Sequence, residues 1–259
     1  MTNNDLSLAF ENCVIASAWK TPDSQILDTP EIYKLTNKAA PYEFMNGIYR
    51  TRLNSENADK EIDTHFQFYR DNKISFRWYA FPHSQPADLV RRIEELHPKG
   101  VTEMQCLYAR TDDPAFAIPN GVAVEELSSG NLEDYIEANI AGWNPSGEQA
   151  ERIRREIRTD FEKGDMGYRA FLARCDGTPA STGLMRIVPN AGYFYGGSTR
   201  PEFRRKGAYR GLVAYRLRLL CAQEIPMAFV LAIKATSAPI CRKLGFNLAC
   251  ECRSYDFSF

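Results

Sequence analysis

A short basic segment with one glycine lies between an apolar stretch and a helix-like stretch: Phe203-Arg204-Arg205-Lys206-Gly207-Ala208-Tyr209-Arg210. Amides in the first turn of a helix lack intrahelical acceptors, and the helix dipole favours negative charge at that end. Gly207 lets the main chain come close to an anion, and Arg204, Arg205 and Lys206 add fixed positive charge. The segment therefore predicts a phosphate or pyrophosphate site at a helix N-terminus.

A second motif follows about thirty residues further on: Ile240-Cys241-Arg242-Lys243-Leu244-Gly245-Phe246 closes a short helix on glycine. Between the two motifs lies a continuous apolar run, residues 227–233, which is typical of a buried strand. The order strand, basic turn, helix, buried strand and helix ending in Leu-Gly-Phe resembles the acetyl-CoA-binding half of the GNAT superfamily of N-acetyltransferases. The resemblance covers residues 121–259.

This resemblance implies an α/β fold with a mixed α+β sheet, the acyl-CoA N-acyltransferase (GNAT) fold. The first half of the chain has a similar order of elements but contains no basic glycine turn. We therefore expect two GNAT-like domains in tandem. Residues 1–118 would form a degenerate domain without a CoA motif, and residues 119–259 would form the acetyltransferase domain.

The resemblance also implies where acetyl-CoA would bind as a co-substrate. The pantetheine arm would lie along the strand that ends near Thr199, and the pyrophosphate would rest on the basic turn. Tyr209 departs from the family pattern, which has a small residue there, so we expect its side chain to turn outward over the phosphates or adenine. The implied cofactor-binding residues are Gly197, Ser198, Thr199, Arg204, Arg205, Lys206, Gly207, Ala208, Tyr209 and Ser237.

Attack of a neutral amine on the thioester carbonyl requires a donor for the oxyanion, a base and an acid. A backbone amide near Ser198 or Thr199 could stabilise the oxyanion. Many relatives have a tyrosine as acid four residues before the glycine of Leu-Gly-Phe, and in this chain that position is Cys241. Its thiol could protonate the departing thiolate or accept an acyl group, or it could be a buried packing residue, the commoner role of a free cysteine. The alternative proton donors are Ser237, Tyr195 and Tyr209.

Carboxylates near the expected acceptor groove are the candidates for the base. Glu126 and Glu133 rank first because their elements flank that groove in the family. A chain of water molecules could serve instead if desolvation lowers the pKa of the amine. Aromatic residues in the same region would favour an apolar or cationic acceptor if they line the groove. The other base candidates are Glu125, Asp134 and Glu202, and the aromatic residues are Trp143, Phe161, Tyr168 and Tyr193.

Hydrophobic periodicity and turn residues predict the elements that position these groups. In the first half we expect helices at 6–19, 57–69 and from Pro86 onward, strands at 33–39, 47–53, 76–81 and 101–108, and a loop at 21–30. A linker would follow at 111–121. In the second half we expect strands at 122–127, 168–174, 181–188, 192–199, 227–233 and within 248–257, and helices at 131–143, 146–163 and 208–222. Ser146 and Gln149 predict a capping box, and Asp176-Gly177 predicts a hairpin turn.

Composition excludes several classes of protein. The seven cysteines are scattered, odd in number and without a Cys-x-x-Cys pair, which argues against a disulfide framework or a zinc site, and we expect no metal. A net charge of −1 and few interleaved aromatic residues disfavour a nucleic-acid partner. The absence of a long apolar run and of a charged-then-apolar start predicts a soluble cytoplasmic protein without a membrane partner.

Two functions remain open from the sequence. The first is an N-acetyltransferase that acts on the primary amine of a small molecule or peptide. The second is a non-catalytic acyl-CoA sensor or interaction module, motivated by Cys241 and by the lack of histidine in residues 119–259. The sequence leaves a homodimer open.

Overall fold

The protein is described by a computed structural model that covers residues 2–113, 116–164 and 166–259, except the side chain of Asn3. Its contacts divide the chain into two units. The first comprises Met1–Leu107, Leu231–Arg242 and Asn247–Phe259, and the second comprises Tyr108–Val230 and Lys243–Phe246. The break near residue 107 is close to the predicted domain boundary, but the carboxy-terminal segment groups with the first unit. Pro114 of the predicted linker lies outside the described residues.

The helices, in chain order, are α1 Asn3–Ala16, α2 Ala58–Asp71, α3 Leu89–Glu94, α4 Leu132–Trp143, α5 Gly147–Glu162, α6 Ala208–Ala222 and α7 Ser237–Lys243. The strands are β1 Gln25–Asp28, β2 Ile32–Thr36, β3 Gly47–Thr51, β4 Phe76–Ala80, β5 Gly100–Arg110, β6 Val122–Glu126, β7 Arg169–Cys175, β8 Thr178–Val188, β9 Ala191–Thr199, β10 Met227–Ile233 and β11 Asn247–Phe257. A short 3₁₀ turn at Pro201–Phe203 precedes α6. None of the helices in the described ranges is long and apolar enough to cross a membrane.

The first unit is a sheet with strand order β1-β2-β3-β4-β11-β5. Its β3–β4 pair is parallel, so the chain must cross over between the two strands, and α2 makes that crossover. β11 pairs antiparallel with β4 from Arg253↔Ala80 to Phe257↔Phe76. The last strand of the chain therefore completes a sheet that begins with its first strands.

Aromatic residues form the core of the first unit. The Phe76 ring is fully buried, with its centroid 4.1 Å from that of Tyr69 on α2 and 4.9 Å from that of Phe257 on β11. Trp78 is also fully buried, and its indole N–H donates to Thr51 Oγ1 at 2.9 Å. Apolar burial therefore joins the crossover helix to both the central and the terminal strand.

The second unit has the strand order β10-β9-β8-β7-β6. β9 and β10 are parallel, while the pairs from β9 to β6 are antiparallel. α4 packs on β8 and β9, and α6 packs on β6, β7, β8 and β9. The hairpin β7–β8 turns at Asp176 and Gly177, whose φ angles of 45° and 81° are typical of a type I′ turn, as predicted.

Several elements agree closely with the sequence prediction. α6 and β10 have the predicted bounds, and the capping box of Ser146 and Gln149 at the start of α5 is confirmed. β1 was predicted as a loop; all four of its residues are exposed, so no apolar alternation marks it. The helix expected from Pro86 begins only at Leu89, and the predicted terminal strands are one strand.

We predict that Phe76→Ala lowers the free energy of unfolding by about 3–5 kcal/mol, because it removes a fully buried ring from the core of the first unit. Urea titration followed by tryptophan fluorescence measures this change. The matched control is Phe44→Ala, whose ring is 51% exposed, and we expect less than about 1 kcal/mol there. Equal effects of the two substitutions would contradict the described core.

Candidate functional site

The basic turn before α6 has an unusual backbone. Arg205 and Gly207 have φ angles of 66° and 89°, while Arg204 before them has −62°. Left-handed residues that alternate with ordinary ones turn successive amides toward a common concavity, which is a frequent form of anion site. The first intrahelical bond of α6 runs from Gly211 N to Gly207 O, so the amides of its first turn point out of the helix at this place.

Gly207 is required by the turn itself. Its φ lies in the left-handed region, and a Cβ built on it would be 3.0 Å from Cγ of Pro119. We expected glycine here because it allows close approach to a phosphate. The structure gives a different primary reason: the added carbon would point at Pro119, so any side chain would strain the turn.

The side chains of Arg204, Arg205 and Lys206 are exposed. Nε of Arg204 donates to the carbonyl of Thr199 at 3.3 Å, so part of this guanidinium is used in fixing the turn. Neither Arg205 nor Lys206 has an ion-pair partner among the described residues. Two cations at this turn are therefore available to an anionic ligand.

A β-bulge interrupts β9 just before this turn. Leu184 of β8 pairs with Tyr195, and Thr182 pairs with Ser198, so Gly183 alone lies opposite both Gly196 and Gly197. Gly196 has a φ angle of 60°. The parallel ladder to β10 ends at the same level, with its last described pair at Phe194↔Val230. β9 therefore departs from regular pairing on both of its edges near residue 195.

A bulge redirects main-chain amides away from the ladder, which makes them available to a ligand. We expected the oxyanion donor near Ser198 or Thr199. The structure instead places the irregular backbone at Gly196 and Gly197, one to three residues earlier. Ser198 is back in the ladder, and its carbonyl accepts from Ser181 Oγ at 2.5 Å. The donor near Ser198 or Thr199 stays a prediction, and the bulge adds the amides of Gly196 and Gly197 as candidates.

Tyr209 connects the bulge with the basic turn. A Cβ built on Gly197 would lie 2.8 Å from Cε2 of Tyr209, so the ring occupies the space that a side chain at 197 would need. The expectation that this ring turns outward over the phosphates is therefore wrong. Its ring lies against the strand, and glycine at 197 is the reason that it fits.

A buried arginine, which sequence analysis missed, lies beneath the bulge. Arg216 on α6 is 1% exposed and donates to the carbonyls of Leu184 at 2.8 Å and Leu212 at 3.0 Å. Its guanidinium carbon is 4.2 Å from the centroid of the Phe194 ring, a cation–π contact. Arg216 follows Leu212 by four residues and therefore lies on the apolar face of α6. A cation on an apolar helix face was the feature of the sequence that could have indicated a buried arginine.

The side chain of Ser198 belongs to a buried polar network that joins α4 to the sheet. Asn139 Nδ2 donates to Thr182 Oγ1 at 3.1 Å, and that oxygen is 3.0 Å from Ser198 Oγ. A Cβ on Gly142 would lie 2.6 Å from Ser198 Oγ, so α4 approaches the strand closely at this glycine. This network orients the end of β9, and the hydroxyls of Thr182 and Ser198 are hydrogen-bonded within it.

Each carboxylate predicted as a base is held by an arginine. Arg169 donates two hydrogen bonds to Glu126, at 2.7 and 2.5 Å, and Arg158 donates two to Glu133, at 3.0 and 2.7 Å. The bonds from Arg158 lower the pKa of Glu133 and make it a weaker base. Glu125 and Asp134 are both paired with Arg174, and Glu202 is paired with Arg200.

Cys241 and Ser237 lie on α7, which belongs mainly to the first unit, whereas the bulge and the turn belong to the second. Cys241 is 1% exposed, which favours its packing role over acyl transfer. Ser237 Oγ accepts from the amide of Ile233 at 2.8 Å, so this hydroxyl caps the turn before α7.

Three tyrosines form a cluster near the bulge, two of them on β9 and one just before β7. The ring centroid of Tyr195 is 5.7 Å from that of Tyr193 and 6.4 Å from that of Tyr168, which directly precedes β7. The guanidinium carbon of Arg186 is 5.9 Å from the Tyr195 ring. Burial raises the pKa of Tyr195, so its hydroxyl keeps its proton at neutral pH. Of the other predicted aromatic residues, Trp143 is exposed and Phe161 is half-buried.

No family model matches the sequence, and no curated protein matches it. Solved structures do match. A functionally unknown conserved protein from Staphylococcus epidermidis is 15% identical, with 92% of this chain and 95% of that chain covered and a TM-score of 0.73. A GCN5-related N-acetyltransferase from Kribbella flavida is 14% identical, with 99% and 95% covered and a TM-score of 0.68. A tandem GNAT protein from the clavulanic acid biosynthesis pathway is 12% identical, with 96% and 87% covered and a TM-score of 0.61.

The chain therefore has a mixed α/β fold of the GNAT type in a tandem arrangement, which confirms the predicted fold class. The matches extend over nearly the whole of this chain and of each compared chain.

We predict that Gly196→Ala destabilises the protein by about 1–2 kcal/mol, because a left-handed φ is costly for any residue with a Cβ. The new methyl group would also lie 2.9 Å from Leu184 Cδ1. Thermal unfolding measures the change. Gly147→Ala at the start of α5 is the matched control, since its Cβ would meet nothing within 4 Å and its φ is not left-handed. A neutral Gly196→Ala would contradict the described bulge.

Proposed function

We propose that this protein is an N-acetyltransferase that transfers the acetyl group of acetyl-CoA to a primary amine by direct attack in a ternary complex. One observation carries the proposal: the bulge at Gly196-Gly197 and the anion-binding turn at Arg205–Gly207 lie in one unit and are linked by the contact of Tyr209 with Gly197. The bulge suits a thioester carbonyl, and the basic turn suits a pyrophosphate. The GNAT fold supports the same assignment.

The residues at this site fit acetyl-CoA. The turn supplies outward-facing amides and the cations Arg205 and Lys206, neither of which has an ion-pair partner among the described residues. Arg204, Ala208 and Tyr209 complete the cradle at the start of α6, and Thr199 links it to β9. When bound, acetyl-CoA supplies the acetyl thioester that the reaction consumes.

The chain's own residues would contribute to transfer in three ways. Main-chain amides of the bulge donate to the thioester oxygen, where negative charge develops. The buried guanidinium of Arg216 holds the carbonyl of Leu184 beside the bulge and adds positive charge near it. The hydroxyl of Tyr195, at the start of the bulge, donates the hydrogen bond that we assign to the departing sulfur, because burial raises its pKa and makes it a poor acid. Because the nearby carboxylates are held by arginines, the proton of the amine leaves through water.

The acceptor is an amine on a small molecule or peptide. The cluster of Tyr168, Tyr193 and Tyr195 favours an acceptor with an apolar or cationic body, since aromatic faces attract both. We propose a cytoplasmic location on the sequence grounds given above. Partners beyond the acceptor amine are not required by this reaction.

A second function is favoured by a specific observation. Cys241 replaces the tyrosine that serves as acid in many relatives, and Glu125, Glu126, Glu133, Asp134 and Glu202 are all ion-paired. A domain that binds acyl-CoA without turnover would need none of these groups. The alternative is therefore a non-catalytic acyl-CoA sensor or interaction module.

We predict that Gly207→Glu abolishes saturable binding of acetyl-CoA, because any side chain strains this left-handed turn against Pro119 and a carboxylate adds negative charge beside the expected anion site. Isothermal titration calorimetry measures binding. Gly147→Glu is the matched control, since it also adds a carboxylate at a helix N-terminus but faces open space. Lys206→Glu, which leaves the left-handed turn residues intact, should weaken binding about tenfold. Unchanged affinity in both turn variants would refute the site.

We predict that thiol release from acetyl-CoA with a panel of amines falls about 100-fold in Tyr195→Phe, because loss of one hydrogen-bond donor to developing negative charge costs about that factor. Binding of acetyl-CoA should not change. Tyr193→Phe, in the stacked neighbour, is the control and should retain activity. If acetyl-CoA stabilises the wild-type protein but no amine releases thiol, the sensor function replaces the enzymatic one.

A further inference from the structure

A cavity of about 1000 Å³ lies wholly within the first unit. It opens where β3 and β4 separate: their described ladder consists of Gly47↔Arg77 and Ile48↔Trp78, followed by one isolated bridge, Arg52↔Gln85. Its walls come from the residues after β3, the residues after β4 and the start of α3. The carboxyl ends of diverging parallel strands are a common position for ligands.

This cavity is not built for the pyrophosphate of a nucleotide. The helix that follows β3 is α2, and its first turn carries Asp59 and Glu61, which disfavour an anion at the helix N-terminus. Asp59 is itself paired with Arg92 of α3. No basic glycine turn precedes α2 in the sequence. The cavity therefore requires a ligand of another class than the one proposed for the second unit.

One guanidinium in the cavity wall is held in a fixed position. Arg52 lines the cavity with a side chain that is 29% exposed, and its Nη2 donates to Glu11 Oε1 at 2.8 Å. Glu11 is 2% exposed, so a buried carboxylate anchors the arginine from behind. The other guanidinium N–H groups of Arg52 make no hydrogen bond with any described residue. They offer the planar fork that binds carboxylates through two parallel bonds.

The charges around this arginine favour an anion. Burial raises the pKa of Glu11, while Arg52, His83 and Arg50 act on it in the opposite direction as positive charges. Arg50 is paired with Asp28 at 2.7 Å, and His83 lines the cavity beside Arg52. Glu11, which is not part of the wall, offsets Arg52, and no acidic residue lines the cavity in the described part of the chain. A ligand carboxylate would meet no like charge in the wall.

The remaining lining includes an apolar wall as well as the polar residues Asn54, Ser55, His83, Ser84 and Gln85. Leu53, Phe81 and Leu89 are 4%, 4% and 2% exposed, and Leu8 and Val90 extend the surface toward solvent. From the fork of Arg52 and this apolar wall together, we infer that the cavity binds an apolar carboxylic acid. The carboxylate lies on the Arg52 guanidinium, and the hydrocarbon or aromatic body lies along Leu53, Phe81 and Leu89.

Titration calorimetry of the full chain with octanoate and with octanamide tests this inference. Octanoate should bind saturably and about tenfold more tightly than the neutral amide, because it alone makes charge-assisted hydrogen bonds. Arg52→Lys keeps a countercharge for Glu11 but loses the fork, so octanoate should bind about fivefold more weakly. The matched control is Arg91→Lys on α3, which lies outside the cavity wall and should leave binding unchanged.

Three results would overturn the inference. The first is no saturable binding of octanoate by the wild-type protein at millimolar concentration, and the second is equal affinity for octanoate and octanamide. The third is loss of octanoate binding in Lys206→Glu, because that result would place the acid in the second unit. Octanoate binding that persists in Lys206→Glu supports the cavity whether or not acetyl-CoA binds elsewhere.

Discussion

A parallel pair of strands can admit a ligand only where its hydrogen-bonded ladder stops, and this constraint shapes both units. In the second unit the described β9–β10 ladder stops at Phe194↔Val230, and in the first unit the β3–β4 ladder stops at Ile48↔Trp78. Main-chain groups released there still need partners or access to a ligand. This need for hydrogen-bond partners accounts for the bulge of β9, for the buried donors of Arg216 and for the crossover helices.

The two openings differ in chemical character although their backbones are similar. In the second unit, left-handed residues and unpaired cations precede α6, and arginines neutralise the surrounding carboxylates. In the first unit, acidic residues begin α2, and the fixed cation is instead Arg52 at the end of β3. Backbone geometry thus decides where a ligand can enter, and a few charged side chains decide which ligand is accepted.

The sequence predicted the elements with strong local patterns and missed those that depend on distant partners. The apolar stripe of α6 and the continuous apolar run of β10 define their own bounds. The basic turn was found because a charged glycine segment before a helix is a local pattern. The bulge was not predicted, because the presence of Gly196 and Gly197 in a strand does not reveal which residue of β8 they face. Likewise, the arginine partners of Glu126 and Glu133 come from β7 and α5, and only the tertiary structure brings them together.

The pairing of β11 with β4 gives the chain an order of assembly. Tyr255 and Phe257 belong to the core of the first unit, yet the whole second unit lies between them and β4 in the chain. During translation the strands of the second unit are therefore made before the first unit receives the strand that pairs with β4. A chain truncated after α7 would therefore lose β11 from the sheet of the first unit, although the deleted residues follow the second unit in the sequence.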